Sequence, residues 1–177
     1  MYIWVGIDVD DQLEDIKCAA YEAEKEIGFQ NSNFTLPLHI SLKISFPVDD
    51  GIYLDVVQVL TEYFKALSPF EIDVKGIENE TSIIWIRMSH NEVLNKIHDK
   101  LNSMLLDSYG VGLHEYDMDY KFHTTLFMEN NDEKIGFAYD KVKNVKIPEK
   151  LIANKFVIGI SDTGALGTYR VFRTVQV

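Results

Sequence analysis

Two histidines in this chain each stand two residues before a hydroxyl side chain, within segments of similar composition. The segments are PLHISLKISF, residues 37–46, and YKFHTTLFM, residues 120–128. In the first segment apolar and polar residues alternate strictly, which predicts a β-strand in which residues i and i+2 share a face. His39 and Ser41 are therefore expected to point together, and so are His123 and Thr125.

These four side chains are suited to acid–base chemistry on a phosphate. Two imidazoles that face one cleft form a natural general acid and general base near neutral pH. A hydroxyl beside each histidine can donate a hydrogen bond to an anionic oxygen. One histidine would take a proton from the attacking group while the other gives one to the leaving oxygen, so the scheme requires no metal ion and no cofactor.

The elements that would position these residues follow the same order in both halves of the chain: strand, helix, histidine strand, helix, strand. Gly28 and Gly110 indicate the ends of helices, and Asn131 or Asp132 could cap the last one. A polar connection is expected at residues 30–35. The predicted strands cover residues 2–9, 36–46, 70–77, 82–88, 121–128 and 153–160, with a final strand at 167–177.

We interpret the repeated order as an internal duplication folded as a single α+β domain of two lobes, at about residues 1–79 and 80–177. The chain has 177 residues, of which 46% are hydrophobic, enough for a substantial core. Its apolar runs are too short to span a bilayer, and its first residues do not resemble a signal peptide. The single Cys18 excludes an internal disulfide and suits a reducing compartment, so we expect a cytoplasmic protein.

The charge balance limits the partners that the protein can bind. There are 28 acidic and 17 basic side chains, which gives a formal net charge of −11. Affinity for long nucleic acid depends mostly on lysines and arginines that neutralise phosphates, and this chain has no basic run. A small anion could still bind where a few cations converge. We therefore expect a monomer that binds a small nucleotide or a short RNA, and neither a membrane nor a long nucleic acid.

The two histidine segments resemble a known family. HISL and HTTL are similar to the paired H-x-[ST]-hydrophobic motifs of the 2H phosphoesterase superfamily, which includes 2′-5′ RNA ligase-like proteins and cyclic phosphodiesterases. The resemblance implies two antiparallel sheets that flank a central cleft, with the helices on the outside. It further implies metal-independent cleavage or formation of 2′,5′-phosphodiester or 2′,3′-cyclic phosphate bonds. By motif, His39 and His123 would be the acid–base pair, and Ser41 and Thr125 would bind the phosphate.

Further residues could contact a substrate. Lys43 lies on the face of the first histidine and Lys121 on the face of the second, so either could neutralise a phosphate, or could simply be a lysine at the end of a strand. Tyr169 could stack on a base or pack against the sheet. Arg170 and Arg173 are expected on opposite faces of the last strand, and Arg173, which shares the face of Tyr169, is the better candidate for substrate binding.

A metal-dependent chemistry is an alternative for residues 114–123. His114, Glu115, Asp117, Asp119 and His123 include metal-ligand types, but closely spaced carboxylates would repel a phosphate, and the segment lacks zinc-site spacing. We favour a solvated loop there.

The remaining histidines, His90 and His98, are interpreted as surface residues because they lie at the start and in the middle of a predicted helix. Three functional hypotheses then stand. The first is a phosphoesterase of the two-histidine type. The second is a binding module that uses the same cleft for a phosphorylated ligand or an RNA end without turnover. The third, a metal-dependent hydrolase built on residues 114–123, ranks below both.

Overall fold

Two four-stranded antiparallel sheets form the framework of the protein in the computed structural model, which describes residues 1–28 and 36–177. The connection expected at residues 30–35 lies outside the described residues. The first sheet has the order β2-β1-β7-β8 and the second the order β5-β4-β3-β6. The strands are β1 (Tyr2–Asp8), β2 (His39–Pro47), β3 (Phe70–Glu80), β4 (Ile83–Met88), β5 (His123–Met128), β6 (Lys150–Ala153), β7 (Lys155–Ser161) and β8 (Arg170–Gln176). The predicted α+β class with two antiparallel sheets is confirmed.

The two sheets do not follow the predicted lobe boundary at residues 79 and 80. Strand β3 comes from the first half of the chain but pairs with β4 and β6 in the second sheet. Strand β7 comes from the second half but pairs with β1, and β8 extends the same sheet. Each half therefore supplies strands to the sheet that holds the other half's histidine. In addition, Asn154 divides the strand predicted at 153–160 into β6 and β7.

The first and third helices end where the sequence predicts. Gly28 and Gly110 adopt left-handed conformations, with φ of 72° and 68°, at the ends of the first and third helices. The side chain of Asn131 accepts a hydrogen bond from the amide of Lys134 and so caps the fourth helix. The four α-helices of the described residues are α1 (Glu14–Ile27), α2 (Tyr53–Lys65), α3 (Glu92–Tyr109) and α4 (Asp132–Val142).

Each helix buries one apolar stripe, and this packing holds the sheets in place. Helix α2 contacts β7 and β8, and its Phe64 ring stacks on Phe156 of β7 at a centroid distance of 4.9 Å. Helices α1 and α4 pack against each other, and α3 packs on β2. Each fully buried aliphatic or aromatic side chain contributes about 1.5–3 kcal/mol to this framework. Among the helices of residues 1–28 and 36–177, none combines the length and apolarity needed to cross a bilayer.

Candidate active site

The two histidine strands are the outermost strands of their sheets, and they lie beside each other. Strand β2 ends the first sheet, β5 ends the second, and residues of the two strands are in contact. His39 opens β2 and His123 opens β5. The meeting of these two sheet edges thus brings together the two segments that the sequence singles out.

Both imidazoles are fixed in the same way. The Nδ1 atom of His39 lies 2.7 Å from the carbonyl oxygen of Pro37, and the Nδ1 atom of His123 lies 2.6 Å from that of Lys121. Because a carbonyl can only accept, each Nδ1 must carry the hydrogen and donate it. This bond to the residue two positions earlier leaves Nε2 of each ring as the atom that can exchange a proton.

A tryptophan packs against each histidine ring. The centroid of the Trp4 indole lies 4.2 Å from that of His39, and the Trp85 indole lies 4.5 Å from His123. Both tryptophans come from the strand adjacent to the histidine strand, β1 and β4 respectively. The indoles limit the rotation of the imidazoles and shield one side of each ring from water.

The indole of Trp4 also determines how Ser41 can bind a ligand. It lies over Gly6 and Gly159, where an added Cβ would come within 2.7 Å of its ring. From this position its Nε1 donates to Oγ of Ser41 at 3.1 Å. Ser41 therefore accepts one hydrogen bond from Trp4 and has the phenol of Tyr120 as a second hydrogen-bond partner, and its own hydroxyl hydrogen can be donated to that phenol or to a ligand.

Burial lowers the pKa of both histidines. The pKa of His39 falls to about 4, mainly through burial and further through the positive charge of His123, while the bond to Pro37 and the charge of Asp8 oppose the shift. The pKa of His123 is also lowered, mainly by burial and then by the charge of Arg87.

Lys43 occupies a different place from the one predicted. A bulge between Val5 and Gly6 shifts the register, so that Lys43 pairs with the core residue Val5. Its Nζ lies 2.7 Å from Oδ2 of Asp117 and 2.6 Å from Oδ1 of Asn102, and its side chain is only 2% exposed. The ammonium group is therefore held in a buried ion pair, and Lys43 is not placed to bind a phosphate in the cleft.

The prediction that His98 lies on the surface is wrong. Helix α3 packs on β2, so that Nδ1 of His98 donates to the carbonyl of Leu42 at 2.8 Å, and its Nε2 lies 3.0 Å from Nδ2 of Asn102 and 3.2 Å from the carbonyl oxygen of Asp117. His98 is 5% exposed and stacks on Tyr120. His90, by contrast, is exposed as predicted.

The segment 114–123 is a solvated loop only in part. His114, Glu115 and Asp119 are exposed, whereas Asp117 is buried with Lys43. In the part of the chain that the structure describes, no three His, Cys, Asp or Glu side chains converge as a metal site would need. The alternative metal centre at 114–123 is therefore not assembled.

The other residues predicted to contact a substrate differ in exposure and in agreement with the prediction. Lys121 is exposed directly before β5, and its carbonyl holds His123. Tyr169 lies just before β8, and burial of its ring, near Ser45, raises its pKa. A bulge in β7–β8 pairs Arg170 with Ile160 and Arg173 with Ile158, two buried residues of one face. The expected placement of the two arginines on opposite faces is therefore wrong, while the roles of Lys121, Tyr169 and Arg173 stay predictions.

Sequence reasoning missed four residues around the histidines. Trp4, Trp85 and Arg87 lie on the strands next to the histidine strands. The phenol of Tyr120 lies near Ser41, and burial together with the charge of Asp117 raises its pKa. One signal was available: the chain has two tryptophans, and both stand on the first strand of a half.

A comparison with protein families agrees with this architecture. The family model described as the 2′-5′ RNA ligase superfamily matches residues 9–165. The chain therefore belongs to the 2′-5′ RNA ligase superfamily, and the resemblance to 2H phosphoesterases is confirmed. No curated protein sequence matches this chain significantly.

Several solved structures share the fold at low sequence identity. TT0787 of Thermus thermophilus is 14% identical, with a TM-score of 0.66, over 99% of this chain and 97% of that chain. E. coli LigT complexed with NADP+ is 14% identical, with a TM-score of 0.61, over 99% and 96%. Kluyveromyces marxianus Usb1 is 9% identical, with a TM-score of 0.51, over 99% and 98%. At these identities the likeness concerns the fold.

Proposed function

We propose that the protein is a metal-independent phosphoesterase that acts on 2′,3′-cyclic phosphate or 2′,5′-phosphodiester bonds of small nucleotides or short RNA ends. The observation that carries the proposal is the equivalent fixing of His39 and His123. Each Nδ1 donates to the carbonyl two residues earlier, so that each Nε2 is left to transfer a proton. Two fixed proton-transfer groups on neighbouring strands suit an in-line displacement at a phosphate.

In hydrolysis, His39 would be the base. With a pKa of about 4, His39 is neutral near neutral pH, and its Nε2 can take a proton from the attacking water. As the water oxygen bonds to phosphorus, the bond from phosphorus to the leaving ribose oxygen breaks. Nε2 of protonated His123 then gives its proton to that oxygen. The negative charge of a bound phosphate favours the protonated state of His123 that this step needs.

The two hydroxyls would hold the phosphate while the protons move. Ser41 accepts from Trp4 and so can direct its own hydrogen to a non-bridging oxygen. Thr125, opposite Trp85 in the register of β4 and β5, would do the same from the second sheet. Donors aimed at an oxygen on which charge develops stabilise the transition state in a site from which water is excluded.

A small substrate fits the charge of the protein and its relatives. E. coli LigT, which has the same fold, is described in complexes with NADP+ and with 3′-AMP. The net charge of −11 disfavours long polyanions, so nucleotides and short RNA ends are the proposed substrates. The monomeric state and the cytoplasmic location expected from the sequence stay predictions.

The proposal is tested by replacing each histidine. His39→Ala and His123→Ala should each lower kcat by about 10²–10⁴-fold on a 2′,3′-cyclic nucleotide, because each removes a positioned acid or base. Ser41→Ala and Thr125→Ala should have smaller effects, since other donors to the phosphate remain. His90→Ala, at an exposed position, is the matched control. Binding of a nucleotide without turnover by the unaltered protein would instead support the non-catalytic binding module.

A further inference from the structure

Three buried N–H groups on β4 have no hydrogen-bond acceptor among the described residues. They are Nε1 of Trp85 and the Nε and Nη1 atoms of Arg87. Buried donors in folded proteins are nearly always paired. Three unpaired donors on one short stretch of strand are therefore a feature that requires an explanation.

The register places these donors on the face of the second histidine. Arg87 is the Cα partner of His123 and Trp85 is the Cα partner of Thr125. Partners in an antiparallel pair project to the same face, with Cβ atoms about 4.5–5.5 Å apart. The guanidinium, the indole, the imidazole and the hydroxyl thus share one surface of the second sheet.

The guanidinium of Arg87 is only loosely held. The carboxylate oxygen Oε2 of Glu78 lies 3.6 Å from Nε, which is beyond hydrogen-bond distance, and Glu78 also pairs with Lys75 at 2.8 Å. The guanidinium carbon lies 4.9 Å from the centre of the Trp85 ring. A weak ion pair and a cation–π contact leave the donors of Arg87 free to turn toward a better acceptor.

The first sheet has the opposite charge at the equivalent position. There the Cα partner of His39 is Asp8, whose carboxylate is paired with Lys155 at 3.0 Å. The residue beside His39 is thus Asp8, a carboxylate with a close counter-ion. The residue beside His123 is Arg87, a cation whose ion pair with Glu78 is weak. An anion in the cleft would therefore be drawn to the His123 side.

We propose that Arg87, together with Nε1 of Trp85, binds the phosphate group of the nucleotide on the His123 side of the cleft. This rests on the proposed function and adds to it the cation that Lys43, buried with Asp117, does not supply. The planar guanidinium offers two parallel donors to a phosphate monoester or cyclic phosphodiester, which is the geometry that phosphate oxygens favour. Glu78 competes with the phosphate for the same guanidinium and so weakens binding.

The test is calorimetric titration of 3′-AMP and of inorganic phosphate into the unaltered protein and four variants. Arg87→Met should raise Kd about 10- to 100-fold, the usual effect of losing hydrogen bonds to a charged group. Arg87→Lys should recover part of the affinity, because lysine keeps the positive charge but lacks the two parallel donors of the guanidinium. Glu78→Gln should lower Kd. Arg170→Met removes the same charge from an exposed side chain on β8 and should change Kd by less than about threefold.

Thermal unfolding separates a binding role from a structural one. Since the buried Nε and Nη1 of Arg87 make no hydrogen bond, Arg87→Met should fold with an unchanged or higher Tm. The proposal is overturned if Arg87→Met binds 3′-AMP as tightly as Arg170→Met does, or if the unaltered protein binds neither probe. Loss of the proposed enzymatic function would look different: no cyclic nucleotide would be turned over, while binding of 3′-AMP would still depend on Arg87.

Discussion

Replacing Lys43 by methionine should destabilise the protein strongly. The Lys43 and Asp117 side chains are 2% and 0% exposed, and their charged atoms lie 2.7 Å apart. Methionine preserves most of the volume but leaves a buried carboxylate without its cation, and Oδ1 of Asn102 without its donor. Removing one partner of a buried ion pair typically costs about 3–5 kcal/mol, so we expect a loss of that size in the free energy of unfolding at pH 7.

The loss should depend on pH in a definite direction. Burial alone would raise the pKa of Asp117, but the hydrogen bond and charge of Lys43 and the amide of His114 hold it below 3.8. In the unaltered protein the stability from this carboxylate is therefore present above the unfolded-state pKa of about 3.9 and is lost as the pH falls through the folded value. In the Lys43→Met variant, burial raises the pKa of Asp117 because the cation is gone. The cost of keeping the ionised carboxylate buried therefore grows, and the folded state loses stability, as the pH rises above about 3.9. The difference in the free energy of unfolding between the unaltered protein and the Lys43→Met variant should decrease from pH 7 toward pH 3.

Urea denaturation followed by circular dichroism at pH 7, 5 and 3 measures this difference. Lys96→Met is the matched control, because Lys96 pairs with Glu92 at 3.9 Å on an exposed helix face, where an ion pair contributes little. The double variant Lys43→Met/Asp117→Asn removes both charges and should recover part of the loss. A Lys43→Met loss below about 1 kcal/mol at pH 7, or one that does not change with pH, would refute the reasoning.

Other predictions concern chemistry and packing. The pH profile of kcat/KM should be bell-shaped. Its acidic limb should lie near the His39 pKa of about 4, and its basic limb below pH 6.5, where His123 of the free protein loses its proton. A flat profile from pH 4 to 8 would contradict the two-histidine mechanism. Exhaustive chelation with EDTA should leave the rate of cyclic-nucleotide hydrolysis unchanged, whereas a loss restored by added zinc or manganese would contradict metal independence. Gly6→Ala should lower the free energy of unfolding by about 1–3 kcal/mol, because the new Cβ would lie 2.7 Å from the Trp4 ring. The control is Gly136→Ala inside α4, where the space around the new Cβ is open, and this change should not destabilise the protein.

Local patterns in the sequence were sufficient for most individual elements. Strict alternation around His39 and Ser41 predicted a half-buried strand, and left-handed glycines at 28 and 110 ended helices where expected. These features depend on residues within a few positions of one another, which is the range over which side-chain period and capping act. The two histidine motifs could be recognised in the sequence for the same reason, because each motif lies on one short strand.

The errors arise where non-local contacts override the local pattern. The bulge beside Val5 moves Lys43 from the predicted face into an ion pair with a residue more than seventy positions away. Helix α3 buries His98 because β2 comes to lie against it, which the period of the helix alone does not indicate. Arg87 stayed unnoticed because its relation to His123 exists only in the register of β4 with β5.

The exchange of strands between the two sheets has a consequence for how the protein is made. Strand β1 has β2 on one side, and its other partner is β7, which comes from the other half of the chain. A two-stranded ribbon is marginally stable by itself, so the sheet that carries His39 cannot close until β7 has joined it. Neither half is then an independent folding unit, and a break between residues 79 and 80 would leave two unfinished sheets with open edges. The cleft can therefore form only when β7 and β8 have joined the sheet that β1 and β2 begin.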